Sequence, residues 1–348
     1  MTGFVLHFVT KTPDVNLSAM QKITAAALCS LWFVVAAMAG EATNSGAGQI
    51  FQFKFVPNKP LIYAISVKTQ TMNDNRGAGR SSLNRNTVES RYKIKLTAKD
   101  TNQDGTTTVC YEPFDFEQDI QFVGAGGETD TSIRGLDIVS RQNGILVMDT
   151  TKSIGTAQAQ NMKQQIFPRL LSGYFDFAPA GQIKKFGGDL PFVDTWQGSL
   201  KFNMNIFYIV FPTNIVAVRD SWTNSYASKS AGGMVFSGDG IVQPWVYTRE
   251  ADQTTTNGVF ACFNLCESDI NKNMNGYFDQ LGQQTSVAVP EHSDRMAGSF
   301  QFDPNSGYLV SAKKTDKTHD DFNVSVQGSP VEGHIDSDIE ILINLISP

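Results

Sequence analysis

Histidine and cysteine are scarce in this chain, and a common nucleophile motif is missing. Among 348 residues there are four His and four Cys, which leaves little material for acid–base catalysis or a zinc site. The chain also lacks the Gly-x-Ser-x-Gly turn that exposes a nucleophilic serine. We therefore expect a protein without enzymatic activity, and we assign no catalytic, cofactor-binding or metal-binding residue.

An excess of positive charge is also absent. The chain has 28 Lys and Arg against 34 Asp and Glu, for a formal net charge of −6. A mildly acidic surface gains nothing electrostatically from a polyphosphate, which argues against a nucleic-acid partner. The hydrophobic fraction of 41% suits a globular protein, and the 24 Phe residues favour strands.

A secretory signal is the most specific feature of the sequence, and it begins at Met20. Gln21-Lys22 forms a short basic segment, residues 23–36 are apolar, and the small-x-small cleavage pattern 37–39 precedes Gly40. Residues 1–19 fit neither the signal nor the fold, so we interpret them as the product of a start codon assigned too early. The mature chain, residues 40–348, is expected to be exported, and to be periplasmic or extracellular.

Long hydrophobic runs are missing after the signal. The apolar stretch ending at Ala39 is itself near or below the ~20 residues that span a bilayer as a helix. No later stretch is long or apolar enough to do so. The sequence therefore predicts a mature chain without a transmembrane span, either soluble or peripherally attached.

Export would leave three cysteines, Cys110, Cys262 and Cys266. An oxidising compartment favours one disulfide with one thiol left over, while buried free thiols are the alternative. If Cys262 and Cys266 lie in an extended strand, their Cα atoms are ~13 Å apart, too far to bridge without a local turn. Free thiols are favoured, and both alternatives stay open.

Period-two alternation predicts antiparallel sheets with one dry and one wet face. It is clearest in the segments 51–55, 63–67 and 91–99 and in the final strand. In that strand isoleucines fall on one face, and four polar residues fall on the other: His334, Asp336, Asp338 and Glu340. The fold class predicted is mainly β.

One substantial helix is predicted around residues 153–172. Ser153 can cap its start, and Ala159, Met162 and Ile166 recur at helical spacing. A single helix among strands gives no βαβ repetition, which disfavours a doubly wound fold.

Two polar segments are predicted to be connections. Residues 72–86 are rich in Gly, Ser, Asn and Arg, and we expect a mobile loop whose arginines are solvated. The segment Asp100-x-Asn102-x-Asp104-Gly105 copies the opening of a calcium loop. Its twelfth position is Tyr111 where a bidentate Glu is required, so a hairpin turn is the favoured interpretation.

An internal repeat suggests two related halves. Residues 135–147 align without gaps on residues 298–310, and each copy has the pattern strand, tight turn with Gly, strand. The natural boundary lies near 190. The domains predicted are therefore residues 40–190, which include the helix, and residues 191–348.

Several short motifs resemble an uncharacterised family of exported bacterial β-rich proteins. They are Leu190-Pro191, the step Val193-Asp194-Thr195-Trp196, and the strand–turn–strand 302–309. Val193 stands where the family usually has Gly. The resemblance spans roughly residues 50 to 346 and implies an exported, all-β protein; it implies no activity, because no function is known for the family.

The functional hypothesis is a non-enzymatic envelope protein whose curved sheet binds an extended ligand, a lipid or other apolar ligand, or an envelope protein. The alternative is a metal-assisted hydrolase of envelope or extracellular polymers, with a metal near His334, Asp336 and Asp338. An enzyme needs acids and histidines that converge in a cleft, whereas a binding protein needs an apolar groove.

Overall fold

The computed structural model describes most of the chain after residue 47. The described residues are 48–77, 80–152, 160, 172–187, 209–228, 230–231, 234–236, 241–280, 283–326 and 329–347. The signal segment 20–39, residues 1–19, the boundary near 190 and the helix predicted over 153–172, except for residues 160 and 172, lie outside them.

The described residues form one antiparallel sheet of seventeen strands. A single-turn 3₁₀ helix, Thr150–Lys152, follows the sixth strand. The strands are β1 (Leu61–Gly77), β2 (Arg80–Thr101), β3 (Thr107–Gly124), β4 (Gly127–Arg134), β5 (Asp137–Gln142), β6 (Ile145–Asp149), β7 (Gly173–Phe177), β8 (Ile183–Gly187), β9 (Ser221–Ser228), β10 (Ser230–Ala231), β11 (Met234–Phe236), β12 (Ile241–Arg249), β13 (Gln253–Thr255), β14 (Gly258–Gln280), β15 (Gln283–Asp303), β16 (Tyr308–Val326) and β17 (Ser329–Ser347).

Seven long strands make the centre of the sheet. β1, β2 and β3 form one meander, and β14 to β17 form another. The two are joined because β1 pairs with β17, with Ile65 opposite Ile343. Shorter strands extend the sheet at both sides: β4 and β7 pair with β3, while β11, β12 and β13 pair with β14.

Alternation gives the sheet two different faces. In β17 the isoleucines at 335, 339, 341 and 343 are buried, while His334, Asp336, Asp338 and Glu340 lie on the other side. The prediction for the final strand is thus confirmed, as is the one for residues 91–99. We call the side with the buried residues the inner face and the other side the outer face.

The sheet is curved, because strands from its two sides meet in one aromatic core. Tyr111 of β3 and Tyr247 of β12 belong to the same cluster, although six strands separate β3 from β12. A flat sheet would hold these side chains far apart. The largest aromatic members of the core are Phe51, Phe53, Phe175, Phe177, Phe211, Trp245, Tyr247, Phe263, Phe300 and Phe302.

The segment before β1 crosses this core. Phe51 and Phe53 are buried, as the alternation predicted, but the segment is not a regular strand. Its backbone bonds to separate loops: the N–H of Phe53 donates to Pro179 O (2.7 Å), and the N–H of Lys54 donates to Gly307 O (3.1 Å). A side chain at Gly307 would collide with Lys54 there, and its φ of +74° also favours glycine.

One charge is buried at the rim of the core. The Arg249 guanidinium donates to Val216 O (2.6 Å) and to Asp252 Oδ1 (3.0 Å), and it lies 4.9 Å from the centre of the Phe51 ring. The two terminal nitrogens of the guanidinium are held by a backbone carbonyl and a carboxylate, which is how a buried arginine is normally tolerated.

Residues 72–77 and 80–86 are strands and not part of a loop. Residues up to Gly77 belong to β1 and those from Arg80 onward belong to β2, with Met72 opposite Arg85. Polar residues fill both faces of this hairpin, so composition alone suggested a loop. The arginines at 76, 80 and 85 therefore lie in strands.

The predicted turn after β2 is confirmed. Gly105 has φ of +80°, and Asp104 accepts hydrogen bonds from the Thr106 N–H (3.0 Å) and from Lys184 Nζ (2.8 Å). The Lys184 bond and the bonds to Thr106 hold the pKa of Asp104 at about 2. Turn chemistry and a lysine therefore account for this acidic motif.

Both copies of the internal repeat have the predicted strand–turn–strand conformation. Gly144 (φ +79°) and Gly307 (φ +74°) occupy corresponding turn positions before β6 and β16. The relatedness of the two halves as wholes stays a prediction. No helix in the described part of the chain is long and apolar enough to cross a membrane.

Candidate functional site

Three neighbouring strands carry buried charge on the inner face. Along β14, β15 and β16, the inward-facing residues belong first to the aromatic core and then, a few positions further, are ionisable. We call this set the inner polar band; its members, all between 0% and 3% exposed, are Glu267, His292, Asp294, Lys314, Asp316 and Asp320. Such residues are almost never fully buried without a specific reason.

The band lies between two apolar regions. On one side the inner face continues into the aromatic core through Leu265, Phe300 and Ala312. On the other side is a smaller apolar cluster of Val287, Val289, Phe322 and Ile335. The band therefore interrupts an otherwise apolar inner face.

Register brings the band residues together across strands. Glu267 and Asp316 lie on either side of Met296, which pairs with both, and Asp294 is two residues before Met296 on the same face. His292 is directly opposite Asp320, and His292 Nδ1 is 2.7 Å from Asp320 Oδ1.

Burial and neighbouring charge shift the pKa values in the band. Burial, together with the charges of Asp294 and Asp269, raises the pKa of Glu267 to about 8. Burial and then the adjacent Asp294 raise the pKa of Asp316 well above its ordinary value. Burial opposes a charge on His292, but the hydrogen bond and charge of Asp320 outweigh it, so the pKa of His292 is raised.

Lys314 is the cation at the centre of the band. Its Nζ lies 5.5 Å from the Trp245 ring centre and 5.6 Å from that of Phe300. Burial lowers the pKa of Lys314 well below its ordinary value, although the charge of Asp316 acts in the opposite direction. Aromatic faces partly replace the water that this amine has lost.

The outer face carries exposed ion pairs between neighbouring strands. Each is half exposed and contributes little to stability on its own. The pairs include Lys68–Glu89, Lys93–Asp115, Lys95–Glu112, Lys272–Glu291, Lys313–Glu340 and Lys317–Asp338.

Two grooves indent the outer face. The first has a volume of about 740 Å³ and crosses β17, β1, β2 and the start of the β3–β4 hairpin. Its floor includes the small or apolar outer-facing residues Ala64, Ser66 and Leu342. Its rim carries charges of both signs, from Arg91, Lys93, Asp115, Glu117 and Arg134.

The second groove, of about 680 Å³, crosses the sheet from β2 to β14. Exposed Met72 and Ile270 lie at its two sides. Between them are charged outer-face residues, and residues of the inner face, among them Asp294 and Thr318, also line it. The second groove and the inner polar band therefore share strands β14 to β16.

The residues proposed for a metal do not converge on one point. His334 Nδ1 is 2.9 Å from Asp321 Oδ1, Asp336 bonds His319 (2.7 Å), and Asp338 pairs with Lys317 (2.5 Å). Within the residues that the structure describes, no group of three or more His, Cys, Asp or Glu residues is arranged to hold a metal ion.

Adjacent residues of β16 point to opposite faces: His319 lies on the outer face and Asp320 is buried on the inner one. On β15, His292 and Asp294 are two residues apart and are both buried on the inner face. His292 finds its partner on the next strand, a pairing that needs the register and that sequence neighbours do not reveal.

The three cysteines in the described part of the chain are free thiols. Cys110, Cys262 and Cys266 form no disulfide, and Cys262 and Cys266 both lie on the outer face of β14, four residues apart in an extended strand. Burial raises the pKa of Cys262 to about 11, so its thiol is unreactive at neutral pH.

The tryptophans within the described residues are packing residues. Trp245 is buried, and Trp222 stacks on Tyr247 with ring centres 5.5 Å apart and donates its Nε1–H to Val210 O (2.8 Å). Trp196 lies outside the described residues.

Comparisons with known proteins give no family for this chain. No family model matches the sequence, and no curated protein matches it. A solved structure titled as lipid–protein interactions in lipovitellin matches with a TM-score of 0.46 and 11% identity, over 84% of this chain and 25% of that one. This chain thus spans about a quarter of that chain's length.

A second solved structure is the translocator domain of the autotransporter NalP from Neisseria meningitidis. It matches with a TM-score of 0.15 and 7% identity, over 80% of this chain and 87% of that chain. At such scores neither likeness carries an argument, and function has to be argued from this chain's own geometry.

Proposed function

We propose that this chain is an exported, non-enzymatic envelope protein that binds an extended, partly apolar ligand, such as a lipid or a segment of a partner protein, on the outer face of its curved sheet. The observation that carries the proposal is the first groove. Its volume of about 740 Å³ falls within the range typical of ligand sites. Its floor exposes Leu342 among small side chains.

Beside the described residues of the aromatic core, the void lined by Phe53, Phe55 and Tyr308 among others measures only about 10 Å³, which is no more than the room one water needs. The first groove is far larger, which favours it as the place for a ligand.

The shape of the first groove favours an extended ligand. It reaches from β17 across β1, β2 and β3 to the end of β4, and five strands at the usual spacing of about 4.8 Å span roughly 19 Å. A ligand lying across the strands would contact Ser66 and Leu342 on the floor. Its polar groups would meet the charged rim.

A bulky side chain on the floor tests this site. The Ser66→Trp variant fills the groove, and Ser299→Trp places the same bulk on the outer face of β15, outside the groove. Titration with a fluorescent long-chain fatty acid should show binding that Ser66→Trp abolishes and Ser299→Trp retains. Equal binding by both variants would reject the groove as the site.

Native mass spectrometry of protein purified from its host's envelope tests the ligand class. A co-purifying lipid or peptide that is lost in Ser66→Trp would support the proposal. A stoichiometric transition metal would instead support the alternative, a metal-assisted hydrolase near His334, Asp336 and Asp338, which no contact of those residues favours.

Export to the periplasm or beyond, and membership of an uncharacterised family of exported β-rich proteins, are parts of the same proposal. Both rest on the sequence alone. Determination of the mature N-terminus tests the first, with Gly40 as the expected first residue.

A further inference from the structure

Among the described residues, two carboxyl groups of the inner polar band have no hydrogen-bond donor apart from a neighbouring acid. Glu267 is 3% exposed and Asp316 is 0% exposed. Neither oxygen of Glu267 has a hydrogen-bond donor, and Asp316 likewise lacks one apart from the neighbouring acid. Two carboxylates left ionised and unpaired at such depth would be very costly.

Asp294 and Asp316 are neighbouring acids on the same face, and neither oxygen of Asp316 has a hydrogen-bond donor. Two carboxyl oxygens attract only if a proton lies between them, because two carboxylates have no donor. Burial and the mutual repulsion of like charges therefore favour a proton on this pair.

The described elements around these groups do not neutralise them. β14 adds a further acid, Asp269, and β15 adds His292, which bonds Asp320 of β16. β12 contributes the uncharged Trp245, while β1 and β17 contribute Thr69 and Ile339 at the same level. The charge of Lys314 acts on Asp316, but burial itself disfavours the charged form of this amine.

We propose that the inner polar band is a proton-operated latch: strands β14, β15 and β16 pack firmly only while Glu267 and the Asp294–Asp316 pair hold protons, and they loosen when those protons are lost. The device is independent of any ligand on the outer face.

The direction in which pH changes the stability follows from the number of protons bound by the folded and the unfolded chain. Glu267, Asp294 and Asp316 have raised pKa values, so the folded protein binds more protons than the unfolded chain, and stability falls as pH rises. For Glu267 the loss extends from its ordinary pKa of 4.5 to about 8. The raised pKa of His292 acts in the same direction, while the lowered pKa of Lys314 opposes it.

The experiment measures the unfolding equilibrium constant of the wild type, of Glu267→Gln and of Glu340→Gln across this pH interval. Each retained proton changes the unfolding equilibrium constant by up to about tenfold per pH unit. In Glu267→Gln the unfolding equilibrium constant should depend less on pH than in the wild type. Glu340, which lies on the outer face and pairs with Lys313, provides the same chemical change without burial, and its variant should follow the wild type.

Two further readouts keep the test decisive if a variant is unstable. Hydrogen exchange of the wild type should show protection falling with rising pH in β14–β16 and remaining constant in β1 and β2. Difference infrared spectroscopy of the wild type at neutral pH should show a protonated carboxyl band that Glu267→Gln or Asp316→Asn reduces.

The absence of a protonated carboxyl band in the wild type at neutral pH would overturn the latch. So would a pH dependence of unfolding that is the same in Glu267→Gln and Glu340→Gln. A uniform loss of protection over all strands would show that pH acts on the whole fold and not on this band.

Discussion

Strands β14, β15 and β16 carry two different interiors along their length. Near β13 their inward positions hold aromatic side chains such as Phe263 and Phe300, which fill space and need no partner. A few residues further along, the same face holds Glu267 and Asp316, which fill space at the cost of losing water. The backbone and register are continuous, so the difference lies in the side chains alone.

Buried side chains have different roles at the two ends of these strands. The aromatic end stabilises the fold through apolar area and ring packing. The polar band contributes little net stability, because desolvation offsets most of its electrostatic gain. What the band adds is sensitivity to protons, a property that the aromatic end does not have.

The largest expected effect is at the aromatic end. Phe302 is fully buried, with its ring centre 5.1 Å from those of Phe53 and Phe211. Phe302→Ala should lower the free energy of unfolding by about 3–5 kcal/mol, through lost apolar contact and the cavity left behind. Denaturant unfolding measures this loss. Ile346 is exposed, so the free energy of unfolding of the control variant Ile346→Ala should change little. A loss below about 1 kcal/mol would contradict the packed core.

The next largest effect is expected when an acid of the inner polar band is replaced by an apolar residue. Glu267→Met places an apolar side chain of similar size beside Leu265 and Met296, both buried. We expect stability at neutral pH to rise by about 1–3 kcal/mol, because a buried carboxyl without a donor is removed. Thermal unfolding measures the change. If Glu267→Met destabilises the protein instead, the carboxyl has a stabilising role that the band's geometry does not explain.

The smallest effect is on the outer face. Asp338→Asn removes one partner of the exposed pair with Lys317. The free energy of unfolding should change by no more than about 0.5 kcal/mol, and the change should shrink further in high salt. Denaturant unfolding at low and high ionic strength checks this. A larger, salt-resistant loss would indicate that the outer face is partly buried by a further contact.

The final strand shows how much of the fold the sequence predicts. Apolar and polar residues alternate along most of this strand, with Ser337 the exception on the isoleucine face, and the prediction of a strand with one buried and one wet face is correct. Where polar residues fill both faces, as in residues 72–86 and in β16, alternation gives no signal. Burial there is imposed by neighbouring strands, and only the tertiary structure brings those strands together.

The candidate sites were less predictable than the fold. His292 and Asp320 are 28 residues apart, and their hydrogen bond depends on the β15–β16 register, which a bulge between Ala288 and Glu291 alters. The first groove combines residues from five strands. No local motif encodes either arrangement. The triplet His334, Asp336 and Asp338 was visible locally, but its members pair with residues of β16 on the outer face, where His319 and Asp321 link Asp336 to His334.

The pairing of β1 with β17 has a consequence for how the chain acquires its structure. Ile65 of β1 lies opposite Ile343 of β17. The sheet can therefore be completed only when almost all of the described chain is present. Contacts this distant in sequence make folding slow, because a large loop must close before they form. Without this pairing, β1 and β17 would each present an unpaired strand edge, which another chain can occupy.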